Sequence, residues 1–187
     1  MSRYCGWPKK SVFWPEIPSS MHNKTRFEKN RDVNFAWKRG MMMQELHKTL
    51  NQQLANFSVL YFKLYHYHWF VKGEKFFELH AKFEEFYKEA ASYIDEIAER
   101  ILAIQGIPLS TMKEYLDHAT IREAVGNETA EQMVEQLIQD FQVMVDEVKQ
   151  GIQEAERAKD DSSADLLTDI RTNLEKHIWM LTSYLAK

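Results

Sequence analysis

The stretch YHWFVKGEKFFELHAKFEEFYKEAASYIDEIAER, residues 67–100, decides the fold. It carries five side chains able to bind a metal ion, His68, His80, Glu84, Asp95 and Glu99, on what reads as a helix, a turn and a second helix. From Phe76 to Ile104 there is no Gly or Pro, and Phe76, Leu79, Phe83, Phe86, Tyr87, Ala90, Ile94, Ile97, Ile101 and Leu102 recur at helical spacing. That pattern predicts one long helix.

His80 and Glu84 are four residues apart, as are Asp95 and Glu99, so each pair projects from one helix face. At about 100° per residue the four share a stripe roughly 100° wide. The two pairs stand fifteen residues apart, roughly 22 Å along a helix axis, so they cannot hold one ion within one chain. If both serve the same metal, a second copy of the helix must run antiparallel beside the first, the isologous contact of a two-fold dimer. Ala90, Ala91 and Ser92, at the midpoint, are small enough for two backbones to approach. A helix rich in carboxylates also has a plainly solvated face, and Glu85, Glu89 and Glu96 are assigned to it. Aligning His80 with the other acids sets the stripe apart.

His68-Trp69-Phe70-Val71-Lys72-Gly73, Phe76-Phe77-Glu78-Leu79-His80 and Tyr93-Ile94-Asp95-Glu96-Ile97-Ala98-Glu99-Arg100 together resemble the signature of Dps mini-ferritins, the DNA-binding proteins from starved cells. The resemblance runs from about Gln44 to Lys187. It implies an all-α, ferritin-like four-helix bundle and a di-iron ferroxidase site between two-fold-related subunits. Carried over residue by residue, His68, His80 and Glu84 come from one subunit and Asp95 and Glu99 from the other, with zinc able to stand in for iron. Many relatives have Asp where this chain has Glu84, and the extra methylene alters reach by about 1.5 Å. Glu remains an equally hard oxygen donor. Trp69 is core by composition; the resemblance makes it an oxidisable neighbour of the site.

Outward from this centre, helix A is expected from about Met43 to Val71, with Leu46, Leu50, Leu54, Phe57, Leu60, Tyr61 and Leu64 as its apolar stripe. Gly73 permits the turn that returns His80 to His68. His66 lies about 200° from His68 on the same helix and falls outside the site. After Gly106-Ile107-Pro108 the second helix must stop, and Leu109 to Ile121 reads as a long crossover with a short helix around Thr111 to Asp117. Helix C is expected from about Thr129 to Ala158 and helix D from about Ser162 to Leu185. A crossover between the second and third helices joins them in parallel, as in ferritin-like bundles. No His has Glu three residues before it, so the Glu-x-x-His pair of the ordinary intrasubunit site is missing.

Asp161, Asp165 and Asp169 repeat at four-residue spacing near the start of helix D. Acids favour a helix N-terminus through the dipole. The resemblance adds a second role, lining three-fold pores that admit iron to a hollow shell by electrostatic focusing.

The 187 residues, 44% hydrophobic and 28% charged, fit one globular domain. No apolar run approaches the roughly 20 residues of a membrane span. The lone Cys5 has no intrachain disulfide partner, so a cytoplasmic protein without membrane contact is expected, with association to the nucleoid if DNA is bound. Residues 1–40 hold nine Lys and Arg against three Asp and Glu, whereas residues 41–187 hold fifteen against twenty-five. With three of the four prolines and no apolar period, residues 1–42 read as a disordered basic arm on a ferritin-like domain over 43–187. One reading has Lys9, Lys10, Lys24, Arg26, Lys29, Arg31, Lys38 and Arg39 gripping DNA phosphates. The other is that the natural start lies among Met41 to Met43, with Lys38-Arg39-Gly40 encoding a purine-rich ribosome-binding site.

Imidazole and carboxylate without thiolate suit Fe(II), and also Zn(II) or Mn(II). What the resemblance implies is Fe(II) oxidation, preferentially by hydrogen peroxide, with ferric mineral stored in a homododecamer that protects DNA in starvation and oxidative stress. Two other classes stand beside it: a non-enzymatic DNA-compacting protein with a structural metal, and a cage whose acids nucleate mineral without fast oxidation.

Overall fold

The computed structural model describes the backbone of residues 26–186, all of whose regular elements are helical. The chain divides into two units between Lys38 and Arg39. Five helices follow in order: α1 Arg26–Phe70, α2 Phe76–Ala103, α3 Met112–His118, α4 Ala130–Ala158 and α5 Asp161–Leu185.

The four elements after α1 begin and end within two residues of the expected positions. The start of α1 does not: it begins at Arg26, so residues 26–42 are helical where the composition reads as a disordered arm. The segment 26–42 contains no proline, and its one glycine, Gly40, costs only about 1 kcal/mol in a helix interior. Arg, Glu, Lys and Met are adequate helix formers, and nothing in the segment stops the helix.

Two tight connections make hairpins of α1 with α2 and of α4 with α5. Gly73, at φ +115°, turns the first; its position there has open space, so the requirement is conformational rather than steric. Lys159 takes the left-handed cap of α4, and Asp160 caps α5 by accepting from the Ser163 amide. Arg100 of α2 donates to Asp160 at 2.5 Å and to Ser163 Oγ at 2.9 Å, fastening α2 to that turn.

The crossover is held by two asparagines of α1. Asn51 donates to the Ile107 carbonyl and accepts from the Leu109 amide, while Asn56 bonds both the amide and the hydroxyl of Thr120. Thr111 and Thr129 each close a capping box, starting α3 and α4 where the S/T-x-x-E/Q spacing requires.

The core of residues 39–186 is continuous from Leu46 to Leu181. Phe57 of α1 meets Tyr93 of α2 at 5.0 Å, and Phe86 of α2 meets Phe141 of α4 at 5.7 Å. Gly151 of α4 sits where a Cβ would come within 2.9 Å of Thr49 and 3.0 Å of Leu167, so α4 approaches its neighbours as closely as backbone allows. One charged pair lies inside: Lys63 donates to Asp140 at 2.6 Å, both almost wholly buried. Burial raises the Asp140 carboxyl above its ordinary range, a penalty that Lys63 and Gln136 only partly offset. Leu102, counted in the apolar period of α2, is 59% exposed.

Candidate metal centre

The last turn of α1 and the second of α2 bring His68 and His80 face to face. Their rings stack at 3.7 Å with planes 21° apart. Each ring's Nδ1 donates to the other residue's backbone carbonyl, His68 to His80 at 2.8 Å and His80 to His68 at 2.7 Å. A neutral imidazole that donates from Nδ1 keeps its lone pair on Nε2, the tautomer a metal ligand needs. Phe76 stacks on the outer face of His80 at 5.0 Å, and Tyr87 meets His68 edge-on at 5.5 Å. The pair is therefore oriented before any ion arrives.

Glu84 follows one turn after His80 and is partly exposed. It accepts a hydrogen bond from the Lys88 ammonium, which holds its carboxyl below the usual range; His68 and His80 add a smaller pull. Asp95 and Glu99 are exposed three turns and more farther along α2, and among the described residues they take no side-chain partner. One chain thus brings His68 and His80 together, sets Glu84 one helical turn beyond them on Lys88, and leaves Asp95 and Glu99 farther along α2. Among the described residues no group of three or more His, Cys, Asp or Glu is placed to hold an ion within one chain.

Trp69 is 65% exposed and packs on Tyr65 at 5.1 Å, not directly on the histidines. Tyr65 in turn stacks on Tyr87 at 4.2 Å, so an aromatic chain runs from His68 through Tyr87 and Tyr65 to Trp69. Sequence reading misses Tyr65 and Tyr87, whose partners come from different helices. It also misses Lys88, although the four-residue spacing from Glu84 displays it. His66 faces away, its ring tilted against Phe70 at 4.6 Å.

Among the other carboxylates, Glu85 pairs with Lys82 and Glu96 accepts from Ser92, as a solvated face should. Glu89 needs correction: it is only partly exposed and its carboxylate meets Nε2 of buried His177 on α5 at 2.5 Å. Asp161, Asp165 and Asp169 lie exposed along the first turns of α5. Of the basic residues assigned to DNA, Lys38 and Arg39 are exposed, Arg26, Lys29 and Arg31 lie on α1, and Lys9, Lys10 and Lys24 fall outside the described residues.

Comparison with known proteins agrees with this architecture. The ferritin-like domain family matches residues 47–187. General stress protein 20U of Bacillus subtilis is 51% identical over 145 residues, which are 78% of this chain and 100% of that protein. DNA protection during starvation protein 2 of Bacillus anthracis is 52% identical over 144 residues, 77% of this chain and 99% of its own. Among solved structures, Dps from Staphylococcus aureus superposes with a TM-score of 0.76 at 48% identity, covering 77% of this chain and 97% of that one. Dps from Vibrio cholerae, described as a member of a broad superfamily of ferritin-like diiron-carboxylate proteins, gives 0.75 at 34% identity over 78% and 92%. With its helix order, its crossover helix and its relatives agreeing, the chain belongs to the Dps family of ferritin-like proteins.

Proposed function

We propose that two copies of this chain pair α2 against α2 and oxidise Fe(II) between them. One observation carries the reading: the exposed stripe of α2 is self-complementary about the point between Glu89 and Ala90. Residues equidistant from that point face one another in an antiparallel pair. His80 then meets Glu99, Glu84 meets Asp95, and the exposed apolar side chains Phe77 and Leu102, 81% and 59% accessible in the single chain, cover each other.

His68, His80 and Glu84 of one copy with Asp95 and Glu99 of the other then provide two imidazoles and three carboxylates per site. That donor set suits Fe(II) substrate and accepts Zn(II) in its place. The carboxylates offset the charge gained as iron becomes ferric. Two Fe(II) supply two electrons, hydrogen peroxide takes both as its O–O bond breaks, and hydrolysis of the ferric product releases protons. Because the electrons leave in pairs, no hydroxyl radical is set free, and Trp69 with Tyr65 and Tyr87 stands ready to intercept a stray oxidising equivalent. A closed homododecamer storing the ferric mineral, with Asp161, Asp165 and Asp169 lining the pores that admit iron, completes the reading. The relatives named for DNA protection during starvation support a protective role.

The test is Fe(II) oxidation with peroxide in the wild type and in His80→Ala combined with Asp95→Ala. Loss of at least roughly 100-fold in rate is expected, since even residues outside the ligand shell are worth 10–100-fold. Equal rates would leave a DNA-compacting protein with a structural metal, or a passive cage, as the better account.

DNA association is a separate part of the reading, supported by the excess of Lys and Arg over residues 1–40. Weak binding that falls steeply with salt is expected. A gel shift that survives removal of residues 1–42 rules the arm out.

A further inference from the structure

The α2 stripe carries one cation. Of the Lys and Arg on this helix, Lys82 turns to Glu85 and Arg100 to Asp160, and only Lys88 lies among the candidate ligands, on Glu84. The Lys88 side chain is 65% exposed in the single chain, so packing does not confine it to Glu84.

The antiparallel pairing of α2, on which any role for Lys88 at the metal site rests, changes the surroundings of this side chain. Lys88 is one and a half residues from the centre of the stripe, so the two copies' Lys88 Cα atoms stand about 4.5 Å apart along the axis. They face Ala91 and Ser92, which are too small to fill the space around an ammonium. Two lysines thus sit between the two metal sites, among six carboxylates from Glu84, Asp95 and Glu99 of both copies.

We infer that Lys88 is a built-in counter-cation: it holds Glu84 while the site is empty and must release it to an arriving metal ion, so that it sets the site's metal affinity. Glu84 Oε1 cannot serve the ammonium and a divalent ion at full strength together. In the empty dimer the lysines offset repulsion among the carboxylates, which favours assembly before metal. In the loaded dimer the ion does this, and the lysines become repulsive neighbours of it. Lys88 therefore acts with opposite sign on the two states, which a lysine present only for helix or interface stability would not do.

The experiment is calorimetric titration of the full-length protein with Zn(II), which avoids redox chemistry, in the wild type and in Lys88→Gln, Glu84→Gln, the double variant and His80→Ala. Lys88→Gln is expected to tighten zinc binding roughly tenfold, about 1.4 kcal/mol, while lowering the melting temperature of the metal-free protein. In the Glu84→Gln background the same substitution should change affinity less than twofold, because the competition runs through that carboxylate. Zinc affinity unchanged or weakened by Lys88→Gln overturns the inference. So does an equal gain in the Glu84→Gln background, which would mark a general charge effect. Zinc binding untouched by His80→Ala instead removes the metal site itself, and the role of Lys88 with it.

Discussion

At the scale of single residues, the proposed chemistry rests on side chains oriented by groups that would not bind metal. The reciprocal bonds between His68 and His80 use backbone carbonyls, so the pair costs no further side chain to fix its tautomers. Tyr93 shows the converse case, a titratable group held neutral. It lies buried between α1 and α5, accepts from Asn173 at 2.6 Å and points its hydroxyl at Glu89. Burial, with the Glu89 charge behind it, pushes the phenol up to about 12, although the Asn173 bond pulls the other way. A phenol whose folded value exceeds its unfolded value of roughly 10 gives stability that is full below that pH. It is lost as pH rises from there towards the folded value. Tyr93→Phe should therefore remove one component of alkaline destabilisation: between pH 9 and 12 the stability gap between wild type and variant should shift by about 2 kcal/mol in favour of the variant. Urea unfolding at fixed protein concentration measures it; other raised tyrosines, Tyr67 among them, titrate in both proteins and cancel. Parallel pH curves would mean that Tyr93 is not titrating in the folded state.

At the scale of elements, what was legible in the sequence is what periodicity and local chemistry encode. The starts expected around Thr111 and Thr129 hold, and the structure gives the reason: Thr111 with Glu114 and Thr129 with Gln132 each close a capping box, a four-residue local device. The start of α1 was not legible, since low hydrophobicity and high charge argue for disorder while the same residues carry no helix breaker, and local propensity won. The candidate ligands His68 and His80 were readable as a pair because one glycine turn separates their helices. The Glu89–His177 contact was not: its partners lie 88 residues apart, and Glu89 has the spacing of any solvated acid. Leu102 is the opposite case: it belongs to the apolar period that predicts α2, yet it stands exposed on the side of α2 that the core does not use. In each case the residue has a partner that sequence distance conceals, within the chain for Glu89 and, on the proposed pairing, in a second copy for Leu102.

At the scale of the whole molecule, a site shared between copies makes a prediction that an intrachain site cannot share. His80→Ala alone gives dimers in which both sites lack His80; Asp95→Ala alone gives dimers in which both lack Asp95. Co-assembled in equal amounts, the two variants form mixed dimers in which the Asp95→Ala chain lends its His80 to the intact Asp95 of the other. That site is complete, and its opposite number lacks both residues. With random pairing the donor of His80 is intact in half the sites and the donor of Asp95 in half of those. The mixture should thus recover about one quarter of wild-type Fe(II) oxidation from two inactive parents, the arithmetic of an isologous interface. Oxidation followed by the absorbance of the ferric product, after co-expression of the two chains, reads the result directly. Were all five ligands supplied by one chain, every chain in the mixture would still lack one of them, and activity would stay at the level of the parents. Recovery near one quarter requires that the His80 and the Asp95 serving one site come from different chains, which is the feature that separates a shared site from one built within a single copy.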